Sequence, residues 1–318
     1  MPRLSLIAVL VAATFALAQD SPLTINNGSN AVHVFPTRSV HAAAPLAAGA
    51  LLYHGGPVMS TVNTYAIFWV PSQLQNGGST SMSAAYQTIE KNVLADYPGH
   101  GLDNNNTQYY QGTTTKKYIQ NSGKLASSYV DTNPYPASGC SDSATPGACI
   151  TDTQLQAEIQ RVMTLKGWTG GLSKMFLVFT SSGEGSCFDS TNAQCAYTYY
   201  CAYHGYFTNG SGQTVVYSNE PYGNTSNCQA PGTPSPNGNP VADAAATAAT
   251  HELTEAITDP LLNAWYDASG NEIGDLCAYN YGGNTWDSTL ANEMWNGRFY
   301  ELQMEYDNHL AGCVQVGP

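Results

Sequence analysis

The sequence predicts an α/β fold, with α+β as the alternative, because apolar strand-type runs and helix-period segments alternate along the chain. Residues 61–70 (TVNTYAIFWV) and Lys174–Thr180 (KMFLVFT) have the continuous β-branched and aromatic character of buried strands. Between them, residues 81–94 and 151–165 carry apolar side chains at helical spacing. A hairpin and a long alanine-rich helix follow, and the expected whole is a mixed sheet with packed helices.

The elements follow in order. Pro71 closes the first strand. Ala84, Ala85, Ile89, Val93 and Leu94 form one face of the next helix. Residues 98–150 are broken by Gly, Asn and Pro, so they read as loops with one strand near 109–118. Thr151 or Asp152 caps a helix whose stripe is Leu155, Ile159, Val162 and Met163, and which ends at Gly167. Residues 199–207 and 214–218 pair across Asn209-Gly210 as an edge hairpin. Pro240 opens the last helix, with Asp243 near its positive end, and Pro260 stops it.

The ends and the charge limit the function classes. Residues 1–18 read as a secretory signal peptide: Arg3, an apolar stretch, then Ala16-Leu17-Ala18 before Gln19. That stretch is too short for a stable membrane span, and no other long apolar run exists. Residues 19–50 read as an irregular leader, either a tail or a propeptide, and 51–318 as a single globular domain. The net charge of −13 argues against nucleic acid as a partner. Eight cysteines in an exported chain predict disulfides. Proximity suggests Cys140–Cys149 and Cys277–Cys313, with Cys195–Cys201 among the remaining four.

The chemistry concentrates at Ala249-Thr250-His251-Glu252-Leu253-Thr254-Glu255, an H-E-x-x-E sequence one residue away from the zinc-peptidase signature. His251 and Glu255 stand four apart, one turn along a single helix face, so they can share a metal ion. Glu252 is rotated by roughly 100°, which lets it act as general base on the water beside the metal. The bland reading is an exposed His251–Glu255 pair worth a few tenths of a kcal/mol. Against it, the helix is otherwise apolar, and charges there need a reason. A zincin-like order, with a strand before this helix, accords with the fold by analogy. The third metal ligand is open among His204, Glu272 and Asp275. Zinc suits the histidine-rich choice. Calcium is the rival, with Asp259, Asp267, Glu272 and Asp275 as oxygen donors, although their spacing is not that of an EF-hand.

Several blocks also resemble a known family. Leu51-x-Tyr53-His54-Gly55-Gly56-Pro57-Val58-Met59 before a strand resembles the opening of the Exordium / phosphate-induced protein family. Cys201-Ala202-Tyr203-His204-Gly205 is similar to that family's C-G-x-H-G block, with Ala202 in place of glycine. The stretch 251–277 is similar to H-E-x-x-E-A-x-T-D-P-x-x-x-A-W-Y-D-x-x-G-N-E-x-G-D-x-C of bacterial exported relatives, and Gln303 to Val314 resembles the ending. The resemblance covers 51–314 in patches. Plant members are exported to the cell wall and linked to growth control, so it implies an extracellular location. Two expectations result. The first is an exported zinc peptidase-like hydrolase in which His251 and Glu255 bind metal and Glu252 activates water. The second is a non-catalytic Exordium-like protein that meets a cell-wall or other extracellular polymer, with a structural or calcium site.

Overall fold

A computed structural model describes residues 23–28, 30–43, 49–191, 193–229, 235–283, 286 and 288–318. The expected signal peptide at 1–18 lies outside the described residues. Seven strands form the central sheet: β1 (Thr24–Asn26), β2 (Ala31–Pro36), β3 (Val62–Trp69), β4 (Gly123–Asp131), β5 (Lys174–Thr180), β6 (Tyr200–Thr208) and β7 (Thr214–Glu220). Their order across the sheet is β1-β2-β6-β7-β5-β3-β4. The β7-β5-β3-β4 half is parallel, and the β1-β2-β6-β7 half is antiparallel. The mixed α/β content agrees with the fold class expected from the sequence.

Three helices flank this sheet: α1 (Ala84–Asp96), α2 (Asp152–Lys166) and α3 (Pro240–Thr258). Strand alternation distributes the core between the two faces. Ala66, Phe68, Leu177 and Phe179 pack on the side of α1 and α3. Ile67, Trp69, Phe176 and Val178 pack on the side of α2. Because both faces are covered, the central strands carry unbroken apolar runs.

Local chemistry sets the helix limits. Ser83 caps α1 by accepting from the backbone N–H of Tyr86. Thr151 and Gln154 form a capping box on α2, and Gly167, at φ 67°, closes it in the left-handed region. Asn239 caps α3, with Pro240 in its first turn. Every residue of α3 from Ala242 to Thr258 is buried. Alanines give close approach to the sheet. Thr250, Thr254 and Thr258 return their hydroxyls to carbonyls one turn back, so the helix buries hydroxyls without orphaning them.

Three expectations need correction. Part of the segment expected as an irregular leader forms β1 and β2, because Val32 and Val34 alternate with His33 and fill the core on the α2 side. The loop-rich stretch holds the nine-residue strand β4, whose sheet-edge position requires no apolar run. The hairpin of β6 and β7 is internal, since β2 covers β6.

The disulfides are Cys140–Cys149, Cys187–Cys195, Cys201–Cys228 and Cys277–Cys313. The Cys195–Cys201 pairing is therefore wrong: Cys195 lies across an isolated bridge from Cys187, and Cys201, the second residue of β6, lies against Asn227. Although Cys140, Cys149 and Cys187 cluster closely, each sulfur is in a bridge, so none is a thiolate ligand. No helix among the described residues is long and apolar enough to cross a membrane.

Candidate metal centre

The H-E-x-x-E face of α3 is turned toward the sheet, where β2 and β6 each present a histidine. His33 on β2 and His204 on β6 are directly paired across the ladder. On the far side, the segment after Trp265 brings Glu272 and Asp275 over the same space. Cys277 at the end of that segment is bridged to Cys313. Three histidines (33, 204 and 251) and four acids (Glu252, Glu255, Glu272 and Asp275) thus converge, and none is more than 2% exposed.

Two sets of donor atoms lie within 4.8 Å of one another: His33 with Glu255 and Asp275, and His204 with Glu252 and Glu255. Glu255 is common to both. His251 meets it through Nε2, 3.1 Å from Oε1. His33 Nε2 is 2.7 Å from Asp275 Oδ2, and its Nδ1 is 3.6 Å from Glu272 Oε1. His204 Nδ1 lies 3.0 Å from Glu252 Oε2, and its Nε2 lies 3.7 Å from Glu272 Oε2. The other Glu252 oxygen accepts the backbone N–H of Phe35 at 3.2 Å.

Several of these buried atoms make no hydrogen bond among the described residues: His204 Nε2, His251 Nε2, both Glu255 oxygens, Glu272 Oε2 and Asp275 Oδ1. Buried polar atoms are nearly always paired, and each one left alone costs about 1–3 kcal/mol. Here imidazole nitrogens and carboxyl oxygens without partners face each other. A cation between them, or protons on the carboxyls, would remove this cost.

The proton affinities reflect the same crowding. Burial drives His251 down to about 4 and His204 well below the ordinary histidine range, so both are neutral at pH 7. Burial and neighbouring carboxylates push Glu252, Glu255 and Glu272 well up. For His33, burial lowers proton affinity, but the charge and hydrogen bond of Asp275, helped by Glu255, raise it overall. Four carboxylates sealed together are tolerable only if protonated or matched by positive charge.

Neighbouring groups hold the donors in place. Gln303 Nε2 stands 2.8 Å from His251 Nδ1 and donates to the Gly274 carbonyl, which fixes the imidazole so that Nε2 points inward. The Phe35 ring lies on the imidazole, with ring centroids 4.3 Å apart. A Cβ at Gly274 would come within 2.6 Å of His251 Nδ1 and 2.9 Å of Glu255 Oε1. We therefore expect Gly274→Ala to weaken metal binding by about 10–100-fold, the range for losing a supporting contact, although it removes no donor. Competition with a zinc-sensitive dye measures this, and an unchanged affinity would refute the packing argument.

All six residues expected from the sequence lie in this cluster. His204, however, contacts Glu252 more closely than it contacts Glu255 or Glu272, and Glu252 is held by two partners. His33 was missed because it lies in the presumed leader; the alternation Val32-His33-Val34 was the available signal. The expected calcium turn is already satisfied internally: Asp267 Oδ1 accepts from the backbone of Ser269 and Asn271, and Oδ2 accepts from the Asn271 amide. Asp259 Oδ1 holds the backbone of Asn263 and Ala264, whereas its Oδ2 has no hydrogen bond among the described residues. Compared with family models, curated proteins and solved structures, the chain matches none of them.

Proposed function

We propose that this is an exported metal-dependent hydrolase of the zinc-peptidase kind, in which His251, Glu255 and Asp275 hold the metal and Glu252 is the general base. The observation that carries the reading is the meeting of buried His251 Nε2 with both Glu255 oxygens, none of which has a hydrogen bond among the described residues. Imidazole beside carboxylate favours zinc over calcium, which takes oxygen donors almost exclusively. Glu255 and Asp275 already belong to one donor set. Export accords with the four disulfides and with the sequence of residues 1–18.

When bound, zinc would polarise a carbonyl and lower the pKa of water. Glu252 would then take a proton from that water as its oxygen adds to the carbonyl carbon. Glu252 would return that proton to the leaving amine as the C–N bond breaks, so charge and atoms balance. His204 Nδ1 orients the Glu252 carboxylate. A dication nearby draws the proton affinity of Glu252 back down from the raised state that burial produces.

A second reading is a structural site in an Exordium-like extracellular protein, and burial of every donor to 2% exposure or less favours it. Structural metals usually serve domains too small to build a core. This chain has a sheet covered on both faces and four disulfides, so it has less need of one. Elemental analysis with a peptide-hydrolysis panel tests the choice. One zinc per chain, with Glu252→Gln keeping zinc and lacking hydrolysis that the parent shows, supports the hydrolase. Zinc without hydrolysis in any form of the chain favours the structural reading, as does calcium in its place, and absence of any bound metal sinks both.

A further inference from the structure

We infer that β2 occupies the substrate groove of this centre: the edge of β6 and the donor face of α3 form a site for an extended polypeptide, and residues 31–36 fill it as a built-in inhibitor. The inference rests on the hydrolase reading above and names its substrate class. Three contacts from one strand cover the three parts of the proposed machinery. His33 Nε2 reaches Asp275 and belongs to the donor set of Glu255, the place that an open metal site leaves to water. The Phe35 N–H occupies an oxygen of Glu252, the proposed base. The Phe35 ring covers His251.

The geometry is that of a bound strand. β2 runs antiparallel to β6, with His33 opposite His204 and Phe35 opposite Ala202. Residues two apart on a strand share a face, which directs both His33 and Phe35 at the centre. Main-chain pairing gives a strand-adding site its affinity whatever the sequence, and alternate side chains give selectivity. An aromatic residue over His251 is the preference this groove expresses.

Charge and covalent linkage agree. In a chain of net charge −13, residues 31–43 (AVHVFPTRSVHAA) contain one arginine, two histidines and no acid, which complements the acidic centre. All four disulfides lie between Cys140 and Cys313, so none fastens this segment to the body. Without β1 and β2, β6 would be the edge of the sheet.

The test uses the full zinc-loaded chain with a site-specific protease sequence inserted between Gly49 and exposed Ala50. Hydrolysis of a quenched-fluorescent peptide library is followed before and after cutting and washing, together with zinc content and the rate of zinc extraction by a chelator. We expect hydrolysis and extraction to rise at least tenfold with zinc retained, and a synthetic peptide of residues 31–43 to restore inhibition. The uncut double variant His33→Ala/Phe35→Gly should also release zinc to the chelator at least tenfold faster. If the cut chain loses its zinc or its thermal transition collapses, β2 is an integral strand and its histidine a resident ligand, and the inference is overturned. Retained zinc with unchanged hydrolysis also overturns it, while leaving the metal centre standing. No zinc in either form removes the hydrolase reading itself.

Discussion

If the proposed centre holds zinc, Glu255→Gln will leave the purified protein without it. Glu255 is the only residue common to both donor sets, and neither of its oxygens has a hydrogen bond among the described residues. Glutamine preserves the volume but removes a negative charge, and it turns an N–H donor toward either His251 Nε2 or the His204 side. We expect zinc affinity to fall by more than about 100-fold, the upper end of what changes to supporting residues cost. Dialysis followed by elemental analysis reads this directly. A second consequence has the opposite sign. In chelator, the variant should unfold at a higher temperature than the parent, because one of four crowded carboxyl groups has gone. A charge removed from an ordinary exposed ion pair would give neither result. Parental zinc affinity in Glu255→Gln would end the claim that this residue is the hub.

Raising the pH from 6.5 to 8 will destabilise the metal-free protein through its buried carboxyl groups, and Glu220 is the one that can be tested away from the proposed ligands. This residue ends β7, is 1% exposed, and neither of its oxygens has a hydrogen bond among the described residues. Burial pushes its carboxyl up to about 8 from 4.5. The folded state therefore holds a proton that the unfolded chain has already released. Its contribution is complete below about pH 4.5 and is lost as the pH rises through about 8. His251 acts in the other direction: its folded value of about 4 makes its contribution complete above 6.5, with loss as the pH falls toward 4. The decline above pH 6.5 is thus free of the His251 term. Glu220→Gln should make it shallower by the share of this one group, gaining on the order of 3–5 kcal/mol at pH 9 relative to the parent. Denaturant titrations in chelator at pH 6.5 and pH 9 measure the difference. Equal slopes for parent and variant would show that Glu220 is ionised in the fold.

The parts of the chain readable in advance were those governed by local rules. Lys174–Thr180 had to be a central strand because an unbroken apolar run of that length is covered on both faces. Thr151 marked the start of α2 as a cap residue, and Pro240 and Pro260 bounded α3 by what proline cannot do. Gly123–Asp131 was not readable, since a strand at the sheet edge with one solvated face can be as polar as a loop. The disulfides divide similarly: Cys140–Cys149 follows from nearness along the chain, whereas Cys201–Cys228 depends on where β6 begins relative to a distant turn.

The same division runs through the candidate site. Helical periodicity alone places His251 and Glu255 on one face with Glu252 beside them, because four residues make about one turn. Composition alone makes their charges conspicuous on an alanine-rich helix. Which groups stand opposite depended on strand order, which no local pattern encodes. Pairing β2 with β6 brought His33, 218 positions away in sequence from His251, beside Asp275, and put Phe35 against Glu252 and His251. Hydrogen-bond partners across a sheet are set by long-range packing and closure of the chain, so the facing half of the centre, and its concealment, belong to the tertiary structure.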